Sequence, residues 1–301
     1  MKLAHYLSND TIRVGVVDGD LIFDLQEAQQ RLQLLSANPA RTIDEILANG
    51  LLSTVEEAEE RIIKSVPGKP LVSVTLRSPI LNPEKILLVA VNYLSHSKEK
   101  KVEPPKEPYL FTKFRNALIG PGDAIRLPKI SRKVDWEAEL AVVIGKTGKY
   151  ISRDAALNFV AGYTVANDVS FRDLQYATRL PDGKTVLGLN WVKGKGLDSS
   201  FALGPWLVTR NELPNPHELG LSLSVNGKEK QRSNTGEMLF KIESIIEYAS
   251  AGMTLKPGDI ISTGTPEGVA AFTTQEYLKD GDLVEAHIDK IGTLQNTVRP
   301  E

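Results

Sequence analysis

Asp135-Trp136-Glu137-Ala138-Glu139-Leu140-Ala141-Val142-Val143-Ile144 leads two acids into an unbroken apolar run. On a strand, side chains two apart share a face. Glu137 and Glu139 therefore point the same way as Ala141 and Val143, and because that face continues as an apolar one it is expected to be buried. Two carboxylates side by side in such a place repel each other and lose hydration. Lys or Arg partners, a shared proton or a bound cation would compensate them. The plainer alternative is a solvated strand end with two surface acids.

Other strands and turns surround this one. Ile86 to Val91 is a continuous apolar run, as in a strand buried on both faces. Thr11–Val17, the turn Asp18-Gly19 and Leu21–Leu25 read as a hairpin. Pro257-Gly258-Asp259 turns into Ile260–Thr263, and Lys279-Asp280-Gly281-Asp282 turns into Leu283–Ile288. Helices are few. Thr42-Ile43-Asp44-Glu45 is a capping box, and Thr54-Val55-Glu56-Glu57 repeats the signal for a helix ending before Pro67-Gly68. Ser152 is predicted to cap a short helix through Val160. Ile242–Ala251 reads as a helix stopped by Gly252. The pattern predicts an α+β, mainly β chain and not a doubly wound one. The Pro and Gly content from Pro67 to Pro83 suggests a boundary, with a small N-terminal α/β domain at 1–78 and a catalytic domain at 79–301.

The chain has 301 residues, no cysteine, a formal net charge of −2 and four histidines, His5, His96, His217 and His287. Disulfide scaffolds, zinc ribbons, iron–sulfur clusters and thiol nucleophiles are excluded. The near-neutral charge gives no footprint for nucleic acid. No apolar run approaches the roughly 20 residues needed to span a membrane. Asn9 and Asp10 come before the apolar core of a signal peptide can form, so the expected location is the cytoplasm. Metal chemistry here would have to use oxygen ligands.

A third acid, Asp168, follows the apolar run Val160–Ala166, a placement suited to a ligand at a strand end. Alone it reads equally as a turn aspartate. Converging with Glu137 and Glu139, it would complete a hard-cation site for Mg²⁺, Mn²⁺ or Ca²⁺. Downstream of the Ile86 strand, Ser95 is placed to cap a short helix carrying His96 and Glu99 one turn apart. A carboxylate there orients the imidazole and raises its basicity, giving a usable general base. The alternative is a surface histidine among Lys98, Lys100 and Lys101. The remaining histidines read as structural. Thr263-Gly264-Thr265-Pro266-Glu267-Gly268 is a glycine turn able to bring backbone N–H groups to a ligand carboxylate, without the lysine or spacing of a nucleotide loop. Lys113 and Lys195 are candidates to hold an anionic group, although most lysines face solvent.

Taken in order, Asn92-Tyr93 to Glu99, Ala117–Asp123, Asp135–Gly145, Ala161–Ser170, Arg172-Asp173-Leu174-Gln175, Leu203-Gly204-Pro205-Trp206, Val225-Asn226-Gly227 and Thr263–Val269 resemble the fumarylacetoacetate hydrolase family across roughly residues 84 to 298. The resemblance implies a mixed β-sandwich roll behind a small N-terminal domain, usually as a homodimer. It implies Mg²⁺ or Mn²⁺, with Ca²⁺ as an alternative, held by Glu137, Glu139 and Asp168. It implies a His96–Glu99 dyad on a lid, Lys195 beside it, and Asn92, Tyr93, Lys113, Gln175 and Thr265 toward a small 2-oxo acid. The expected activity is hydrolysis of a C–C bond in an acylpyruvate-like or fumarylacetoacetate-like acid through an enolate, with His96 deprotonating water. The alternative is decarboxylation or isomerisation of oxaloacetate or unsaturated oxo-diacids, or dehydration of a sugar acid. A non-catalytic protein with a structural cation is the remote reading.

The sequence departs from the family pattern in places. Ala90 stands for the usual glycine and Val91 for a longer residue. Lys113-Phe114 replaces Lys-Pro, and Lys195-Gly196 loses a hydroxyl. The stretch Tyr176–Asn190 is about ten residues longer than usual.

Overall fold

A computed structural model describes residues 1–35, 39–176 and 189–301; most of the long 176–190 stretch lies outside the described residues. The architecture is mixed and mainly β, as expected. One large sheet runs Gly68–Pro70, Leu21–Asp24, Thr11–Asp18, Lys2–Ser8, Phe201–Thr209, Val160–Asp168, Ala138–Ile144, Ile260–Ser262, Ile86–Ala90 and Tyr109–Lys113. A five-stranded sheet runs Lys228–Asn234, Gly220–Val225, Leu283–Ile288, Gly292–Pro300 and Ile125–Leu127. A two-stranded ribbon pairs Val134–Asp135 with Ser170–Phe171. The large sheet continues across residue 78, because Lys2 and Leu3 lie opposite Val208 and Leu207.

The apolar run after Glu139 is explained by burial on both faces of the central strand. Leu140, Val142 and Ile144 join the core shared with Leu221, Leu223, Val284 and Ala286 of the five-stranded sheet. Ala141 and Val143 face a second core, built with Leu3, Val16 and the helical residues Ile43, Ile46 and Ile62. Every residue from Ala138 to Ile144 is buried.

The hairpin forms as read, with Val17 opposite Ile22. Thr42 caps the helix Ile43–Ala48 by accepting from the Glu45 N–H. Three expected hydroxyl caps do not form. Thr54 lies inside Leu52–Glu57, which begins at Leu51 with no side-chain cap and is followed by Glu59–Ser65. Ser152 precedes a 3₁₀ segment, Arg153–Phe159, and makes no capping bond. Ser95 lies inside Leu94–Lys100, whose N-cap is Tyr93, and its hydroxyl is buried without a partner. Among the described residues, no helix is long and apolar enough to cross a membrane.

Candidate active site

Two adjacent antiparallel strands bring the acids together. Ala138 lies opposite Asn167 and Glu139 opposite Ala166. The Asp168 N–H donates to the Glu137 carbonyl at 2.9 Å, and the Asn167 side chain accepts from the Glu137 N–H at 3.0 Å. One carboxylate oxygen from each of Glu137, Glu139 and Asp168 falls within 4.8 Å of the others, and all three residues are buried.

Cations offset part of this charge. Lys195 Nζ donates to Glu137 Oε2 at 2.8 Å and to Asp168 Oδ2 at 2.5 Å. Arg172, also buried, donates to Asp135 Oδ2 at 2.9 Å and to Glu137 Oε1 at 2.5 Å. Burial alone would raise the Glu137 carboxyl; the Lys195 and Arg172 charges outweigh it and hold Glu137 well below the usual carboxylate range. Glu139 differs. Among the described residues it has no Lys or Arg within 4 Å, and its Oε2 accepts from Ser262 Oγ at 2.5 Å and from the Gly264 N–H at 2.9 Å. Burial, reinforced by the negative charges of Asp168 and Glu137, pushes Glu139 well above that range. Gly264 is suited to this contact: its φ is +93°, and a Cβ would stand 2.8 Å from that of Asn92.

The residues fit a divalent cation. The donors are hard carboxylate oxygens without sulfur or imidazole. Asp168 Oδ1 pairs with Lys113 Nζ at 2.9 Å, which leaves Glu139 as the acid of the three without a cationic partner among the described residues.

The other anticipated residues divide into two groups. His96 is 4% exposed, which rules out the surface reading, and its Nδ1 lies 3.1 Å from Glu99 Oε2. Glu99 is anchored in turn by the Gly268 N–H at 2.9 Å. His96, Gln175, Lys195 and Thr265 line one narrow cavity, of about 20 Å³, together with Glu137 and Glu139. Asn92, Tyr93 and Lys113 are not on its wall. The Asn92 amide donates to the Phe240 and Thr263 carbonyls and accepts from the Phe240 N–H. Tyr93 is fully buried. Lys113 Nζ lies behind Asp168, donating to the Val169 and Ser200 carbonyls at 2.9 and 2.6 Å. Burial lowers its pKa to about 8 against the pull of Asp168. The Thr265 hydroxyl donates to the Ala138 carbonyl and accepts from Gln231.

Sequence reasoning assigned no role to Arg172, Asp135, Ser262 or Lys100. The one local signal for Arg172 was a strong cation directly after the acid-bearing strand. Two of the departures meet in space: a Cβ on Gly196 would lie 2.9 Å from the Val192 carbonyl oxygen and 3.1 Å from the Phe114 ring, so backbone and ring together crowd a side chain there. Val91 has φ +58°, a conformation costly for a β-branched residue, and it also lines the cavity.

Residues 85–299 match the model of the fumarylacetoacetate hydrolase C-terminal domain. The chain belongs to the fumarylacetoacetate hydrolase family. Among the family's members, a mitochondrial oxaloacetate tautomerase of Xenopus laevis is 41% identical over 99% of this chain and 90% of its own length. A maleylpyruvate hydrolase from Sphingobium sp. SYK-6, solved with manganese(II) and pyruvate, is 32% identical with a TM-score of 0.77, covering 100% of this chain and 99% of that one. A 2-hydroxyhepta-2,4-diene-1,7-dioate isomerase from Mycobacterium marinum is also 32% identical, with a TM-score of 0.73 over 100% and 99% of the two chains. Members of this family are enzymes acting on small oxo acids, and the buried acid triad suits the divalent metal seen in the hydrolase.

Proposed function

We propose that this protein is a divalent-cation-dependent enzyme that interconverts the keto and enol forms of a short 2-oxo diacid, with oxaloacetate as the substrate. The observation that carries the reading is the 41% identity to an oxaloacetate tautomerase over 99% of the chain. The physical support is a buried imidazole–carboxylate pair whose His96 lines one small cavity with Glu137 and Glu139, and a third acid, Asp168, clustered with those two.

A cation held by Glu137, Glu139 and Asp168 would act as a Lewis acid, stabilising negative charge on the 2-oxygen. The chain supplies the proton transfers. Glu99 holds Nδ1 of His96, which leaves Nε2 as the basic nitrogen. Nε2 takes a proton from carbon 3 of the substrate, the electron pair moves to the 2-oxygen, and the imidazolium returns the proton there. Glu99 stabilises the transient positive charge. Lys195 adds fixed positive charge beside Glu137 and Asp168.

The assay is loss of the oxaloacetate enol signal with Mg²⁺ or Mn²⁺, with pyruvate release followed in parallel. His96→Asn is expected to lower kcat by about 10²–10³-fold, with Glu99→Gln following the same direction less steeply and neither changing the fold. Activity within threefold of wild type in His96→Asn would remove the imidazole from the mechanism. The maleylpyruvate hydrolase neighbour favours a second reading, in which His96 deprotonates a water that cleaves a C–C bond; pyruvate released from an acylpyruvate faster than oxaloacetate enolises would support it.

Metal loading should depend on pH in a defined sense. Glu139 is raised, so between its unfolded and folded pKa values the ion-free native state binds more protons, and its stability falls as pH rises. An ion needs that carboxylate ionised and displaces the proton. The rise in melting temperature from a fixed Mn²⁺ concentration is therefore expected to be greater near about pH 8 than near about pH 5.5. A rise that is equal or smaller at the higher pH would contradict the assignment of Glu139 as a ligand.

A further inference from the structure

The four cations nearest the acid triad are not equivalent. Lys195, Arg172 and Lys113 each lie within 3 Å of at least one buried carboxylate. Each is held in direct contact with a buried carboxylate of the protein, so none is free to turn toward a distal anion. Lys100 is the exception. It lines the same cavity as His96, Glu137 and Glu139, and it makes no ion pair among the described residues. Its neighbours on the helix, Lys98 and Lys101, are exposed, while Lys100 is half-buried. Its ammonium stands 5.7 Å from the centre of the Phe272 ring. The same ring packs edge-on to His96 and under Arg172. An aromatic face holds the cation in place without giving it a carboxylate in direct contact.

Lys100 also lies one turn beyond His96 on the same helix, so the two side chains project from one face. The charged groups around it are Glu137 and Glu99, which attract it, and Arg172 and Lys195, which repel it. Burial lowers its pKa, and an arriving anion would reverse that shift.

Resting on the reading of the site given above, we propose that Lys100 is the specificity-determining residue that binds a second carboxylate of the substrate. It makes the site select four-carbon 2-oxo diacids over 2-oxo monoacids of the same length. The 2-oxo acid end lies at the acid triad, and the far carboxylate meets the ammonium beside Phe272.

Malate and 2-hydroxybutanoate test this by binding alone, because they differ only in the terminal carboxylate and neither can enolise. Both are titrated calorimetrically into Mn²⁺-loaded wild type, Lys100→Met and Lys100→Arg, with melting temperatures verifying the fold. The same variants are assayed with oxaloacetate and 2-oxobutanoate. A charged hydrogen bond of this kind contributes about 1.5–3 kcal/mol, so Lys100→Met is expected to lower the malate to 2-hydroxybutanoate affinity ratio by about 10- to 100-fold. Lys100→Arg should restore most of the ratio.

Three results overturn the proposal: a ratio in Lys100→Met within twofold of wild type, an equal loss for both acids, or no binding of malate by the loaded wild type. Lys100-dependent selection of malate by a protein that enolises neither oxo acid would sink the tautomerase reading and leave this one standing. Turnover of oxaloacetate with no Lys100-dependent discrimination does the reverse.

Discussion

Glu139→Gln is expected to reduce turnover by about four orders of magnitude while leaving the fold intact. Both hydrogen bonds to this side chain, from Ser262 Oγ and the Gly264 N–H, fall on Oε2. A glutamine carbonyl can accept both, so the amide takes the place of Oε1, the oxygen those bonds leave available to a cation. The charge disappears where it is least welcome to the empty protein, since Glu139 is buried, lacks a cationic partner among the described residues, and faces two other acids. Folding stability should therefore hold or rise. The catalytic loss comes from removing a ligand of a Lewis acid that supplies several kcal/mol of charge stabilisation, at a factor of ten per 1.36 kcal/mol. The measurements are kcat/KM, Mn²⁺ affinity by calorimetry and melting temperature. Full activity with unchanged Mn²⁺ affinity would show that the acids are not a metal site. Loss of activity with an unfolded protein would assign Glu139 a structural role instead.

Arg172→Met carries the largest expected cost in stability, about 3–5 kcal/mol, the scale for breaking a buried ion pair by removing one partner. The guanidinium joins Asp135 on one side to Glu137 on the other and donates to Gln175 as well. Asp135 is itself fixed by the N–H groups of Ala270 and Ala271, so it cannot turn out to solvent when Arg172 is lost. Methionine fills the volume without supplying the charge. The shift is read from urea unfolding at one fixed protein concentration, because any association would add a mass-action term. A change below about 1 kcal/mol would mean that water reaches both acids and that the cluster is wetter than its burial implies. Lys195 still holds Glu137 in this variant, so weakened rather than abolished activity is expected in the fraction that folds.

Features fixed by local periodicity were legible in the sequence. The shared face of Glu137 and Glu139 follows from the two-residue repeat of a strand, and the Asp18-Gly19 hairpin from its turn chemistry. His96 and Glu99 meet because they are one helical turn apart. What could not be read was set by contacts between distant segments. Arg172 reaches acids 35 and 37 positions earlier, and Asn92 clamps Phe240, 148 positions away. Asn92 is a good example of the difficulty: its amide looks available in sequence, but the fold commits it to backbone groups. Lys100 was hidden among similar lysines until burial separated it from Lys98 and Lys101. The Ser95 and Thr54 hydroxyls matched capping patterns, but the packed residues ahead of them had already set where each helix begins.

The double burial of the strand Ala138–Ile144 carries a consequence for how the molecule finds its pairing. A strand with one wet face can misalign by a residue and still find somewhere to put its polar groups. This one has no such refuge. Sliding it by a single position would send both glutamates into the aliphatic layer beneath the five-stranded sheet, and would press Ala138 against Lys195 and Arg172 and Leu140 against the Ser262 hydroxyl and the Gly264 N–H. A stranded Glu137 carboxylate and an unpaired Glu139 carboxyl would together cost several kcal/mol, comparable with the whole margin by which a domain of this kind stays folded. The buried acids thus also act as a proofreading device for assembly, and a chain that has folded at all has Glu137 and Glu139 in register with Asp168.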